Sequence, residues 1–179
     1  RVMHVCMPME GFENEVPPPF GEMVPFIDMV GGPLPADMLE TITFRANIAM
    51  PNEWAGLVVW EGGKYKLIEP APISATPHRV EYSSAGIDPQ TVVLDCHSHG
   101  ALPAFFSETD DADDRSMASP CFFAGVVGNL NRTPQFTRRL VVNGRFFHRC
   151  GDIWLPQHIA RTMIELMKEE PEDGHDNES

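Results

Sequence analysis

Thr91-Val92-Val93-Leu94-Asp95-Cys96-His97-Ser98-His99 reads as a strand that ends in two histidines, and the rest of the chain is arranged around it. Side chains along a strand alternate faces, so Thr91, Val93, Asp95, His97 and His99 share one side while Val92, Leu94 and Cys96 share the other. Two imidazoles on one face can reach a single ion, and Asp110, arriving from the next element, adds an oxygen ligand. Three ligands of this kind leave one tetrahedral position open, which separates a catalytic from a structural zinc site. Ser107, three residues before Asp110, can present its hydroxyl to a developing oxyanion. These residues make the chain a candidate metallohydrolase.

Working outward, helices and strands alternate in a mixed α/β order around one sheet. Met38, Leu39, Ile42, Arg45, Ala46 and Ala49 recur at helical spacing from Ala36, and Pro51 closes that helix. Glu53 to Trp60 is a buried strand opening with a carboxylate, and Lys64 to Ile68 is its hairpin partner across Gly62-Gly63. Pro70 to Pro89 is rich in loops, with one short strand at Arg79 to Tyr82. A helix is expected over Thr109 to Ala118 and a buried strand over Cys121 to Gly128. Arg138 to Val142 and Gly144 to His148 form a hairpin turned at Asn143-Gly144. Pro156 begins a last helix through Lys168. Residues 1–35, with Pro17-Pro18-Pro19-Phe20 at their centre, are a proline-rich lead-in packed as extended chain over the domain of residues 36–168.

The composition narrows the function. With 179 residues the chain makes one full domain. A net charge of −13 opposes nucleic-acid binding, which needs a basic face. Residues 169–179 hold six carboxylates and no Lys or Arg, so they form an acidic, disordered tail. Cys6, Cys96, Cys121 and Cys150 form no C-x-x-C pair and read as reduced, buried thiols in a cytoplasmic protein. No apolar run approaches the roughly 20 residues that span a bilayer, so no membrane is expected. The chain opens on Arg1, and an upstream start is expected.

Each candidate residue also has a plainer reading. Ser107-Glu108-Thr109-Asp110 fits a helix-start signature, so Ser107 is equally an N-cap. Glu61, Glu69 and Glu81 compete with Glu53 as general base, and Glu53 is preferred because it leads a long apolar strand. Asp111, Asp113 and Asp114 compete with Asp110, but only Asp110 keeps the serine spacing. His4, His78, His148, His158 and His175 are read as surface or packing residues, and Trp54, Trp60 and Phe105 as core.

Taken together, His97-Ser98-His99, seven residues, then Ser107-x-x-Asp110, with Glu53 on an earlier strand, resembles the JAMM motif of the JAB/MPN metalloprotease family. That motif is H-[ST]-H-P, six or seven residues, then S-x-x-D. The resemblance covers roughly Ala36 to Val142, and the proline-rich start and acidic tail are similar in layout to the bacterial PRTRC system protein A group. One departure is visible: Gly100 stands where the family usually has proline.

The resemblance implies a sheet curled between helices in the cytidine-deaminase-like JAB/MPN architecture, with zinc held by His97, His99 and Asp110 and a water in the fourth position. It further implies Glu53 as general base, Ser107 as oxyanion donor, and a peptide or isopeptide bond after the tail of a ubiquitin-like protein as substrate. Expected partners are that modifier or its conjugate, with activating-enzyme-like and conjugating-enzyme-like proteins of the same operon. Competing readings are a catalytically silent scaffold that binds such a partner, and a DNA-processing relative, which the acidic balance opposes.

Overall fold

A computed structural model of the chain describes residues 2–6, 26–150, 153–157 and 160. Its centre is a seven-stranded sheet built from β3 (Ala55–Glu61), β4 (Lys64–Ile68), β7 (Val92–Ser98), β8 (Cys121–Gly128), β9 (Gln135–Val142), β10 (Arg145–Cys150) and β11 (Ile153–Pro156). Spatial order is β11-β10-β9-β8-β7-β3-β4. Only β7 and β8 run parallel. Parallel neighbours need a crossover, and here it contains α2 (Glu108–Ser116). The two central strands are buried along most of their length, which is why β8 reads as a continuous apolar run. This is the mixed α/β fold expected from the order of elements.

The two faces of the sheet are covered differently. On one, α1 (Ala36–Ala49) buries Ile42 and Ala46 against Val58, Leu94, Cys96 and Val127. Ile42 and Ala46 are one turn apart, so they form the inward stripe while Phe44 and Ile48 are exposed. The helix stops where Met50 turns extended before Pro51. On the other face Leu57, Val59, Phe122, Ala124, Val141 and Phe146 form a second cluster, and α2 lies on this side.

Both expected hairpins are present. β3 and β4 pair through Glu61↔Lys64 around Gly62-Gly63, and β9 and β10 through Val142↔Arg145. Asn143 and Gly144 both have positive φ, 48° and 73°, the backbone a two-residue hairpin of this twist requires.

Three parts of the sequence reading need revision. The lead-in contributes β1 (Met3–Cys6) and β2 (Phe26–Met29), an antiparallel pair, and Met3 belongs to the core cluster of the α2 face. Pro70 to Pro89 holds two strands instead of one: β5 (Pro72–Thr76) pairs with β6 (Arg79–Tyr82). β5 is mostly exposed and so lacks the apolar alternation that marks a half-buried strand. Pro156 is the last residue of β11, and the helix expected to begin there starts one residue later, with Gln157 and Ala160 helical. The rest of the span to Lys168 over which a helix was expected, the Pro17-Pro18-Pro19-Phe20 stretch and the expected acidic tail lie outside the described residues. Among the described residues, no helix is long and apolar enough to cross a membrane.

Candidate metal centre

The site forms where the head of β3 meets the end of β7. These strands are antiparallel with Ala55 opposite His97, so the residues before β3 sit beside the histidines. Ser98 fastens the junction. Its backbone N–H donates to the Trp54 carbonyl at 2.8 Å, and its hydroxyl accepts the Trp54 N–H at 2.9 Å. Ser98 is fully buried, and sequence reasoning gave it no role beyond its place in the motif. Glu53 is held from the other side, its N–H donating to Thr76 O of β5 at 2.8 Å. Replacing Ser98 with alanine strands a buried N–H, so a destabilisation of about 1–3 kcal/mol is expected. Urea denaturation checks this; an unchanged midpoint would show that the Trp54 amide finds another partner.

Past β7 the chain turns at Gly100, whose φ of 55° lies in the left-handed region. Proline is locked near −65°, so the residue expected here from the family pattern could not adopt this turn. The segment returns to Ser107, which begins α2 with a reciprocal cap. The Asp110 N–H donates to Ser107 Oγ at 3.2 Å, and the Ser107 N–H donates to Asp110 Oδ2 at 2.6 Å. Ser107 is therefore an N-cap, as its local pattern allowed, and the hydroxyl proton is not consumed by that bond because the oxygen accepts.

His97, His99 and Asp110 converge. The two Nε2 atoms are 3.2 Å apart, His97 Nε2 lies 3.1 Å from Asp110 Oδ1, and His99 Nε2 lies 3.7 Å from Asp110 Oδ2. Ligands at about 2.0–2.1 Å around a tetrahedral ion stand about 3.3–3.4 Å from one another. The spacings between the two ring nitrogens and from His97 to Asp110 are close to this, while the His99 contact is longer and ends on the other carboxylate oxygen. Two ring nitrogens and a carboxylate aimed at one point form a donor set that can hold a metal ion. His99 Nδ1 is buried with no hydrogen-bond partner among the described residues, and its ring is held instead by Phe105, edge-on at 4.6 Å.

The electrostatics follow from burial and crowding. Burial disfavours a charged ring at His97, yet Asp110, with Asp95 and Glu53, outweighs it and lifts the imidazole pKa. Burial also works against charge on Asp110, but the bonds to His97 and His99 prevail and hold its carboxyl well below the usual range. Glu53, only 8% exposed, is raised chiefly by burial; both histidines oppose that and Asp110 adds to it. Beneath the histidines burial lifts Asp95 to about 6, against a hydrogen bond from the Tyr82 hydroxyl at 2.6 Å.

A cavity of about 180 Å³ opens over these groups, lined by Glu53, His97, His99, Ser107 and Asp110 together. The rival bases are engaged elsewhere: Glu61 with Lys66, Glu81 with Arg79 at 2.9 Å, and Glu69 with Arg45 at 2.7 Å and the Trp54 indole at 2.8 Å. Of the rival ligands, Asp111 and Asp114 bond to Arg139. Two aromatic assignments separate. Trp54 is core, whereas Phe105 is 47% exposed and lines the cavity, because the turn after Gly100 carries it over the sheet end. His78, read as a surface residue, is exposed but lines the same cavity; His158 and His175 lie outside the described residues.

Residues 35–141, well over half of the chain, match a family model described as prokaryotic homologs of the JAB domain. No curated protein matches the chain.

Proposed function

The chain belongs to the family of prokaryotic JAB-domain homologs, and from that premise we propose that it is a zinc-dependent peptidase cutting the peptide or isopeptide bond after the C-terminal tail of a ubiquitin-like protein. The observation that carries the reading is the convergence of His97, His99 and Asp110 in a cavity that also presents Glu53 and Ser107. A partner-binding scaffold has no physical need of that combination. The substrate class rests on the resemblance of the motif. In a bacterial conjugation-like system, activating-enzyme-like and conjugating-enzyme-like proteins are then natural companions.

His97, His99 and Asp110 would hold the ion. When bound, zinc lowers the pKa of water toward about 7 and polarises a carbonyl. Glu53, in a site where burial weakens its preference for charge, takes a proton from the attacking water and delivers it to the leaving amine as the carbon–nitrogen bond breaks. Ser107 donates its hydroxyl proton in a hydrogen bond to the oxygen that becomes negative during the attack. The two roles of Ser107, cap and donor, use different parts of one hydroxyl.

The test is cleavage of a linear fusion between a small β-grasp modifier and a reporter. Turnover should depend on zinc and stop with chelator. Ser107→Ala should lower kcat about 10²- to 10³-fold. Its stability should fall by about 1 kcal/mol through the lost cap. Normal cleavage by that variant would restrict Ser107 to capping. A zinc-loaded chain that binds modifier without cutting any fusion would favour the scaffold reading.

A further inference from the structure

α2 raises a packing problem. Its nine residues, Glu108 to Ser116, include five carboxylates and a single apolar side chain, Ala112. A helix ordinarily stays on a domain by burying an apolar stripe, and this one has none. Asp110, Asp113 and Asp114 stand three and four positions apart, where like charges repel. Yet Asp110 must keep its oxygens on the His97 and His99 nitrogens.

The answer lies two strands away. Arg139 of β9 pairs with Ala124 of β8, which pairs with Asp95 of β7, so Arg139 shares the face of His97 at a lateral distance of about 10 Å. Its side chain is completely buried. Nε and Nη2 donate to Asp114 Oδ2 at 2.9 and 2.6 Å, and Nη1 donates to Asp111 Oδ1. The guanidinium carbon lies over two aromatic rings, 4.0 Å from the centre of Phe106 and 3.8 Å from that of Phe146. It therefore touches the chain just before Ser107 and just after Asp110.

We propose that Arg139 is a positioning residue for the metal centre: by gripping Asp111 and Asp114 it sets the roll of α2, and with it the place of the Asp110 carboxylate. This rests on the metal-centre reading above. A carboxylate oxygen stands about 5 Å from the helix axis. A roll of about 20° would carry it about 1.7 Å, against a ligand tolerance of about 0.2 Å. The planar fork of arginine fixes direction as well as distance, which a lysine ammonium does not. Stability alone is a weak reason for such a device, since apolar residues of similar volume commonly replace buried ion clusters without loss.

Three chains test this: the native one, Arg139→Lys, and the apolar replacement Arg139→Met/Asp111→Asn/Asp114→Leu. Each is measured for zinc affinity by chelator competition, for the visible absorption of its cobalt-substituted form, and for thermal stability without metal. The expected result is a 10- to 100-fold loss of zinc affinity in both variants. A weakened, shifted cobalt band should accompany it, including in the apolar replacement when that protein melts no lower than the native chain. Native affinity and an unaltered cobalt spectrum in either folded variant overturn the proposal. So does recovery of zinc affinity in step with thermal stability, or failure of both variants to fold, since either assigns Arg139 to stability. If the native chain itself takes up no zinc or cobalt, the metal-centre reading fails first.

Discussion

Zinc should be lost when both His97 and His99 become alanine. Apparent binding free energies of about 10–16 kcal/mol for structural zinc sites with four protein ligands correspond to about 3 kcal/mol per ligand. Removing two ligands therefore costs about 6 kcal/mol, roughly a 10⁴-fold weaker site. The native chain should carry close to one zinc and the double variant almost none by elemental analysis. A second readout comes from linkage, because an ion held at 100 times its Kd stabilises the folded state by about 2.7 kcal/mol. Added zinc should raise the melting temperature of the native chain and leave that of the variant unchanged. Equal zinc content in the two proteins would place the ion elsewhere.

Glu53→Gln should leave zinc binding and folding in place while turnover falls about 10²- to 10⁴-fold, the span ascribed to a positioned general base. The amide keeps the shape of the carboxyl but cannot accept a proton at neutral pH. Stability gives an independent sign. Burial raises the folded-state pKa of Glu53, so its ionised form opposes folding once pH exceeds the unfolded value, and the penalty is complete above the folded one. Glutamine carries no such penalty. At neutral pH the variant should melt at or above the native temperature, so lost activity would not reflect lost structure. A Gln variant that cleaves its substrate at the native rate would remove Glu53 from the chemistry.

Much of this arrangement was legible because it is local in the chain. The faces of β7 follow from alternation, the cap of α2 from Ser107 and Asp110, and the β9–β10 turn from Asn143-Gly144. Glu53 was read as opening a strand that begins at Ala55, two residues later, and the register of Ala55 with His97 supplies the reason Glu53 arrives at the site. What escaped reading depends on partners far apart in sequence. Asp111, Asp113 and Asp114 were read only as rivals to Asp110, and nothing in the pattern singled out Arg139, 25 residues beyond Asp114. Tyr82 and Asp95 meet only because β6 folds beside the sheet. β5 and the core role of Met3 were missed for a related reason: an exposed strand and a proline-rich start carry little periodicity, and their placement comes from pairing and packing.

Zinc-edge X-ray absorption on the purified native chain tests the central claim most directly. One zinc per chain is expected, surrounded by nitrogen and oxygen at about 2.0–2.1 Å with imidazole scattering from two rings. Absence of zinc from a folded chain, or a shell of sulfur at about 2.3 Å contributed by the cysteines, would contradict a centre made of His97, His99 and Asp110.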